Sequence, residues 1–417
     1  MLSISTPFAP PASPGKTRPR AGRSRISSPP SPPSARNRLG ARRTRSPPSA
    51  PPRRNWRTSS AAAIWISGCR MVMLESSRRL IAVLRDELKV ADDVPLHSPW
   101  FKGREWDYLK DCLDTGWVSS VGSYVDRFEA ATAERCGARF AIAAVNGTAA
   151  LHLALHAVGV RPGDLVICPS LTFIATANAV AYAGAMPLFA DIEERTLGLD
   201  PARVAALLKS HGPRFQGRRI AACLPVHVFG HPAAMEPLVA AGAAHGIPVI
   251  EDASEALGSR HRGKPCGSLA AAGVLSFNGN KIITTGGGGM VLTDDAALAK
   301  RLKHLSTTAR VPHAWLFDHD EVGFNYRLPN INAALGCAQL EQLDDFLARK
   351  RALADLYRAR FADCPGARFV AEPEEDRGNY WLNALRFDDA ETRDRFLAET
   401  NAAGIQTRPC WRPLHQT

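Results

Sequence analysis

From about residue 138 the chain alternates short apolar, β-like runs with stretches in which small and apolar residues recur at helical spacing. The runs Phe140 to Val145, Leu165 to Cys168, Met186 to Ala190, Ile220 to Val226, Ile247 to Glu251, Val274 to Phe277 and Met290 to Thr293 read as strands. Ala149 to Val158, Ala175 to Ala183 and Ala234 to His245 read as helices between them. Apolar strands alternating with helices predict an α/β fold built from a βαβ series, with a mostly parallel sheet covered on both faces. Ligands of such sheets sit at the carboxyl ends of the strands. After Asn325-Tyr326-Arg327-Leu328-Pro329-Asn330, one long charged helix is expected over about Asn332 to Phe361, with Leu335, Leu340, Leu343, Phe346, Leu347 and Leu353 at helical spacing. It would bridge to a smaller C-terminal domain.

Charge changes the picture only at one end. Residues 1 to 60 hold thirteen Lys or Arg and no Asp or Glu, so a chain of net charge +12 has a nearly neutral remainder. That segment is rich in Pro, Ser and Arg and is expected to be disordered, because it cannot bury enough apolar surface to offset ordering its backbone. It also fits a targeting segment, although its proline pairs oppose the amphipathic helix of an organelle transit peptide. A third reading is a wrongly assigned start, with the true one at Met71 or Met73; nucleic-acid binding by the basic tail is the weakest. The division expected is a tail over 1–74, a ligand-binding large domain over 75–335, and a bridging helix with an incomplete small domain over 336–417. No segment approaches the roughly 20 apolar residues that span a bilayer. Nine scattered cysteines without a CxxC pair suit a reducing cytoplasm. Neither nucleic acid nor membrane is expected as a partner.

The chemistry gathers at the predicted strand ends. Asp252 closes Val249-Ile250-Glu251-Asp252, and Lys281 follows twenty-nine residues later in the run from Ser276 to Gly289. That pairing points to pyridoxal phosphate: a lysine amine can hold the aldehyde as a Schiff base, while a carboxylate keeps the pyridine nitrogen protonated so that the ring accepts electrons. Asn146-Gly147-Thr148-Ala149 closes a strand and opens a helix, so its first amides and the Thr148 hydroxyl form a seat for phosphate, or an ordinary helix cap. Ser276, at another strand end, reaches the same edge. Glu255 lies near the cofactor's phenolic oxygen or is a solvated surface acid, and Phe173 stacks on the ring or belongs to the core. Gly286 to Gly289 meet neither Rossmann nor Walker spacing and are read as a sharp turn beside the lysine. His227 and His231 lack a third ligand at suitable spacing, so no metal is expected.

With these residues in place, the chain resembles the DegT/DnrJ family of sugar aminotransferases over roughly residues 95 to 415. The resemblance is carried by Gly116-Trp117-Val118-Ser119-Ser120, Asn146 to Leu151, Thr172 to Asn178, Glu251 to Gly258, Ser276 to Gly289 and Asn325-Tyr326-Arg327. It implies the aspartate aminotransferase fold, fold type I of the pyridoxal phosphate-dependent transferases. That fold has a mostly parallel, seven-stranded sheet in a large domain and a smaller α+β domain. It further implies Lys281 as the Schiff-base lysine, Asp252 on the pyridine nitrogen, Phe173 over the ring, and Gly147, Thr148, Ala149 and Ser276 at the phosphate. Asn325 would reach the phosphate of a neighbouring subunit, so a homodimer with shared sites is the expected unit. Glu255 stands where the family commonly has Gln. Asn278-Gly279-Asn280 before the lysine, with Phe101 to Tyr124, is most similar to the branch that aminates UDP-4-keto-6-deoxy sugars toward legionaminic acid and bacillosamine-like glycans. The activity implied moves the amino group of L-glutamate to the 4-keto carbon of such a sugar. The rivals are a sugar dehydratase of the same fold, which carries His at the lysine position, and a scaffold protein that keeps the fold without chemistry.

Overall fold

The structure is a computed structural model, which describes the strand Leu2–Ile4 and residues 73–417. The basic stretch expected to be disordered therefore lies outside the described residues, apart from Leu2–Ile4. That strand pairs antiparallel with Asn383–Phe387 on one side and Arg408–Pro409 on the other.

Seven strands lie side by side in the order Phe140–Ala144, Gly289–Thr293, Ala272–Ser276, Ile250–Asp252, Arg218–Cys223, Leu165–Pro169, Met186–Ala190. Bridges from Cys223 to Val249 and from Val226 to Asp252 join the two halves. Only Gly289–Thr293 runs against its neighbours, so the sheet is mostly parallel, as the alternation of strands and helices predicts. Side chains along each strand alternate between two cores. Ile142, Ala144, Val274 and Val291 enter the one built with helix Gly147–Ala157; Ala143, Leu275, Met290 and Leu292 enter the other, with Phe128 and Phe277.

The single bridging helix is two. Asn330–Leu340 and Leu343–Phe361 are separated by a turn at Glu341 and Gln342. The Gln342 amide side chain donates to the Ala338 carbonyl, which the main-chain N–H of residue 342 would take in an unbroken helix, and also to Glu105. Helical spacing continues through the break, so periodicity alone could not reveal it.

Residues 75–94, expected with the large sheet, lie elsewhere. Leu80, Val83, Leu84 and Val94 pack with Leu353, Tyr357, Phe361, Leu385, Phe396 and Ile405, closing the core under the C-terminal sheet. Helix Glu75–Ala82 and the turn after it are amphipathic, and this core offers the apolar face they need.

Candidate active site

Strand ends build one side of the site. Asn146 caps helix Gly147–Ala157, its side chain accepting from the Ala149 N–H at 2.8 Å. The Ala149 amide expected at the phosphate thus already has a partner, which leaves the first-turn amides of Gly147 and Thr148 without an intrahelical acceptor. Ser276 closes its strand against Gly289, which pairs in turn with Ala144. The fit is tight: a Cβ on Gly147 would come within 2.8 Å of the Ser276 Cβ, and one on Gly289 within 2.4 Å of the Asn146 carbonyl. Glycine at these two positions lets the helix start and the serine share one corner.

Asp252 is buried, as a strand-end acid with partners can be. Its Oδ2 accepts from the Thr176 hydroxyl at 2.7 Å, itself bonded to Thr172, and Oδ1 accepts from the Ser254 N–H at 3.2 Å. Glu255 is buried too and is no surface acid. It faces the Lys281 amine at 3.5 Å and accepts from the Phe229 N–H at 2.8 Å. Burial pushes its carboxyl up to about 7, against the pull of Lys281 and the Phe229 amide, with the Asp252 charge adding to the rise. Phe229 meets it from a left-handed backbone, φ 59°. Such a conformation costs a side-chain-bearing residue about 1–3 kcal/mol and persists only where the surroundings hold it.

Lys281 sits on the excursion between Ser276 and Gly289. The Phe277 carbonyl closes the neck of that loop, accepting from the Thr285 N–H at 3.0 Å and the Thr284 hydroxyl at 3.2 Å. The amine opens into a cavity of about 770 Å³ lined by Gly147, Thr148, Phe173, Glu255, Ser276 and Lys281. Phe173 is half exposed, its ring 6.0 Å from that of Trp411, at the head of helix Ile174–Tyr182. The cavity therefore gathers most of the expected residues in one place. Ala149, Asp252 and Asn325 are not in its lining: Asp252 lies buried behind Ser254, which does line it, and Asn325 is exposed, its side chain accepting from Arg327.

Nothing along the sequence announces the opposite wall. Trp381, Leu382, Arg408, Pro409, Cys410 and Trp411 close the cavity from the C-terminal region. The Trp381 ring lies 4.0 Å from the Lys281 amine. No local pattern ties a tryptophan one hundred residues downstream to that lysine. Thr172 and Thr176, one helical turn apart, were the readable signal for the support of Asp252. The histidines serve the frame. His227 Nδ1 accepts from the Ala233 N–H and Nε2 faces the Glu251 carboxylate at 3.0 Å, a buried pair. His231 packs edge-on against Tyr380.

The geometry describes a lysine facing one buried carboxylate beside a helix start, with a second buried carboxylate at the neighbouring strand end. The chain belongs to the DegT/DnrJ/EryC1/StrS aminotransferase family, whose model matches residues 101–417. It is a sugar aminotransferase of that family. It is 42% identical over 329 residues to the GDP-perosamine synthase of Caulobacter vibrioides, covering 77% of this chain and 85% of that protein. The GDP-perosamine synthase of Escherichia coli O157:H7 is 38% identical over 322 residues, covering 77% and 85%. Among solved structures, DesI in the presence of its TDP-sugar product superposes with TM-score 0.69 at 33% identity, covering 77% of this chain and 79% of that one. No helix among the described residues is long and apolar enough to cross a membrane.

Proposed function

We propose that the cavity holds pyridoxal 5′-phosphate and that the protein transfers the amino group of L-glutamate to the 4-keto carbon of a nucleotide-linked 4-keto-6-deoxy hexose. When bound, the cofactor supplies an electron sink that stabilises negative charge on the carbon losing or gaining a proton. The residues present suit it. The Gly147 and Thr148 amides, with the Thr148 and Ser276 hydroxyls, offer donors for a phosphate in a corner too small for a Cβ on Gly147. Asp252, held by Thr176 and Ser254, would partner a ring nitrogen, and Phe173 would cover a ring face. Lys281 Nζ would hold the aldehyde of the cofactor, and as a free amine it would move a proton at the reacting carbon. Glu255, with a carboxyl near neutrality, holds or releases a proton beside that amine.

The nucleotide is the point at which relatives alter the expectation. Two relatives named as GDP-perosamine synthases favour GDP over the UDP implied by the legionaminic and bacillosamine resemblance. Asn325, exposed and outside its own cavity, suits a part in the site of a second copy, so a homodimer is the working unit; the scattered cysteines suit the cytoplasm.

The convergence of Lys281, Glu255 and the helix start on one cavity carries this reading. Its test is 2-oxoglutarate release on incubation with glutamate and GDP-, UDP- or dTDP-linked 4-keto-6-deoxy sugars. Turnover is expected with the GDP sugar, and Lys281→Ala should lower it by about 10⁴-fold or more while the fold survives. Substantial turnover by Lys281→Ala would reject the assignment of the lysine.

A further inference from the structure

We propose that Trp381, carried by the segment Asn379–Trp381, is a positioning residue that sets the Lys281 amine against Glu255. This rests on the reading of Lys281 as the reacting lysine, but its geometry stands apart from turnover.

Two contacts from this one tryptophan fix Lys281 and the residue before it. The indole N–H donates to the carbonyl of Asn280, the residue before the lysine, at 2.5 Å. The indole face lies 4.0 Å from the amine, within the range of a cation–π contact. Trp381 is itself buried, so the ring has no freedom to swing away. The lysine is thus held by its main chain and along its side chain at once.

The same segment holds Glu255. The Asn379 amide donates to the carbonyls of Glu255 at 2.8 Å and Leu257 at 2.9 Å, while its oxygen accepts from the Trp381 N–H at 2.7 Å. The Asn379 N–H donates to Ser259 Oγ, whose hydroxyl donates to the Gly230 carbonyl. One asparagine therefore ties the acid's loop to the tryptophan that ties the lysine's loop.

Two further features mark the segment as built for this. Tyr380, between the two residues, is fully buried yet has φ 48°, a left-handed backbone that an aromatic residue keeps only under constraint. The buried Lys350 donates to the Trp381 carbonyl at 3.0 Å, placing a hydrogen-bonded amine behind the tryptophan. Burial pushes that amine down to about 7. A segment serving only to fill the core would need neither the strained residue nor a buried lysine.

The test needs no turnover. Cofactor-stripped Trp381→Phe and Trp381→Leu proteins are treated with limiting acetic anhydride, and modification of Lys281 is counted by peptide mass spectrometry relative to the exposed Lys300. Trp381→Leu should raise the ratio at least three-fold, because the amine loses its cover. Trp381→Phe keeps a ring but frees the Asn280 carbonyl, and should raise it about two-fold. In the loaded enzyme, Trp381→Phe should lower kcat about ten-fold with KM for both substrates within two-fold, as expected when a reacting group is displaced by less than 1 Å. An unchanged labelling ratio in a Trp381→Phe protein that melts like the parent overturns the proposal, as does a change confined to KM. Because labelling is read without cofactor, it stands even if Lys281→Ala retains turnover.

Discussion

The two walls of the cavity hold their charges by different means. On the sheet side, Asp252 is surrounded by short-range donors, the Thr176 hydroxyl and the Ser254 amide, behind Ser254, which lines the cavity. On the C-terminal side, Trp381 sets its indole face against the Lys281 amine across from it, where burial raises Glu255 toward neutrality, and Lys350 is buried behind that tryptophan. The first wall stabilises charge with fixed dipoles, and the second makes charge costly. The contrast suits the proposed use of the site, with fixed charge at one end and proton release and uptake at the other.

Breaking the sheet-side wall should have the largest effect. Asp252→Asn keeps an acceptor for Thr176 but removes the negative charge; kcat/KM for glutamate should fall about 10³-fold with a melting temperature close to the parent's. A loss under ten-fold would mean that the two walls are not divided in this way.

Lys350→Met sharpens the other side. The folded-state amine is depressed to about 7 from the ordinary 10.5, so its favourable contribution is complete above 10.5 and is lost as pH falls to 7. Below 7 the loss is constant. Urea unfolding should therefore find the stability of Lys350→Met relative to the parent rising by about 5 kcal/mol as pH falls from 10.5 to 7 and constant below, set at every pH against the Trp381 carbonyl left without its donor. A gain independent of pH would point to packing instead of charge. Gly147→Ala should act least, raising the cofactor dissociation constant about ten-fold and costing about 1–2 kcal/mol as the Ser276 corner opens. Fluorescence titration with the cofactor and a thermal melt would measure both.

Much of this was legible along the chain, and unevenly. Met186–Ala190 falls where its apolar run predicts, and Phe140–Ala144 ends one residue short of expectation. Gly147, Thr148, Ser276, Glu255 and Lys281 could be placed at one site because each follows a strand, and in a parallel sheet strand ends share an edge. The burial of Glu255 was not legible, since an acid three residues beyond Asp252 reads equally as a surface group. Nor was the capping of Ala149 by Asn146, which depends on a side-chain torsion.

By itself the sequence determined the order of strands and helices, the sheet they build, and the lysine and aspartate at its edge, because these follow from periodicity and from groups close along the chain. Only the tertiary structure decided that residues 75–94 close the C-terminal core, that the bridging helix breaks at Gln342, and that Trp381 and Asn379 lock Lys281 against Glu255. Those contacts join residues up to about three hundred positions apart. Their energy comes from burial and hydrogen bonds made only when the chain is folded, so no local pattern announces them.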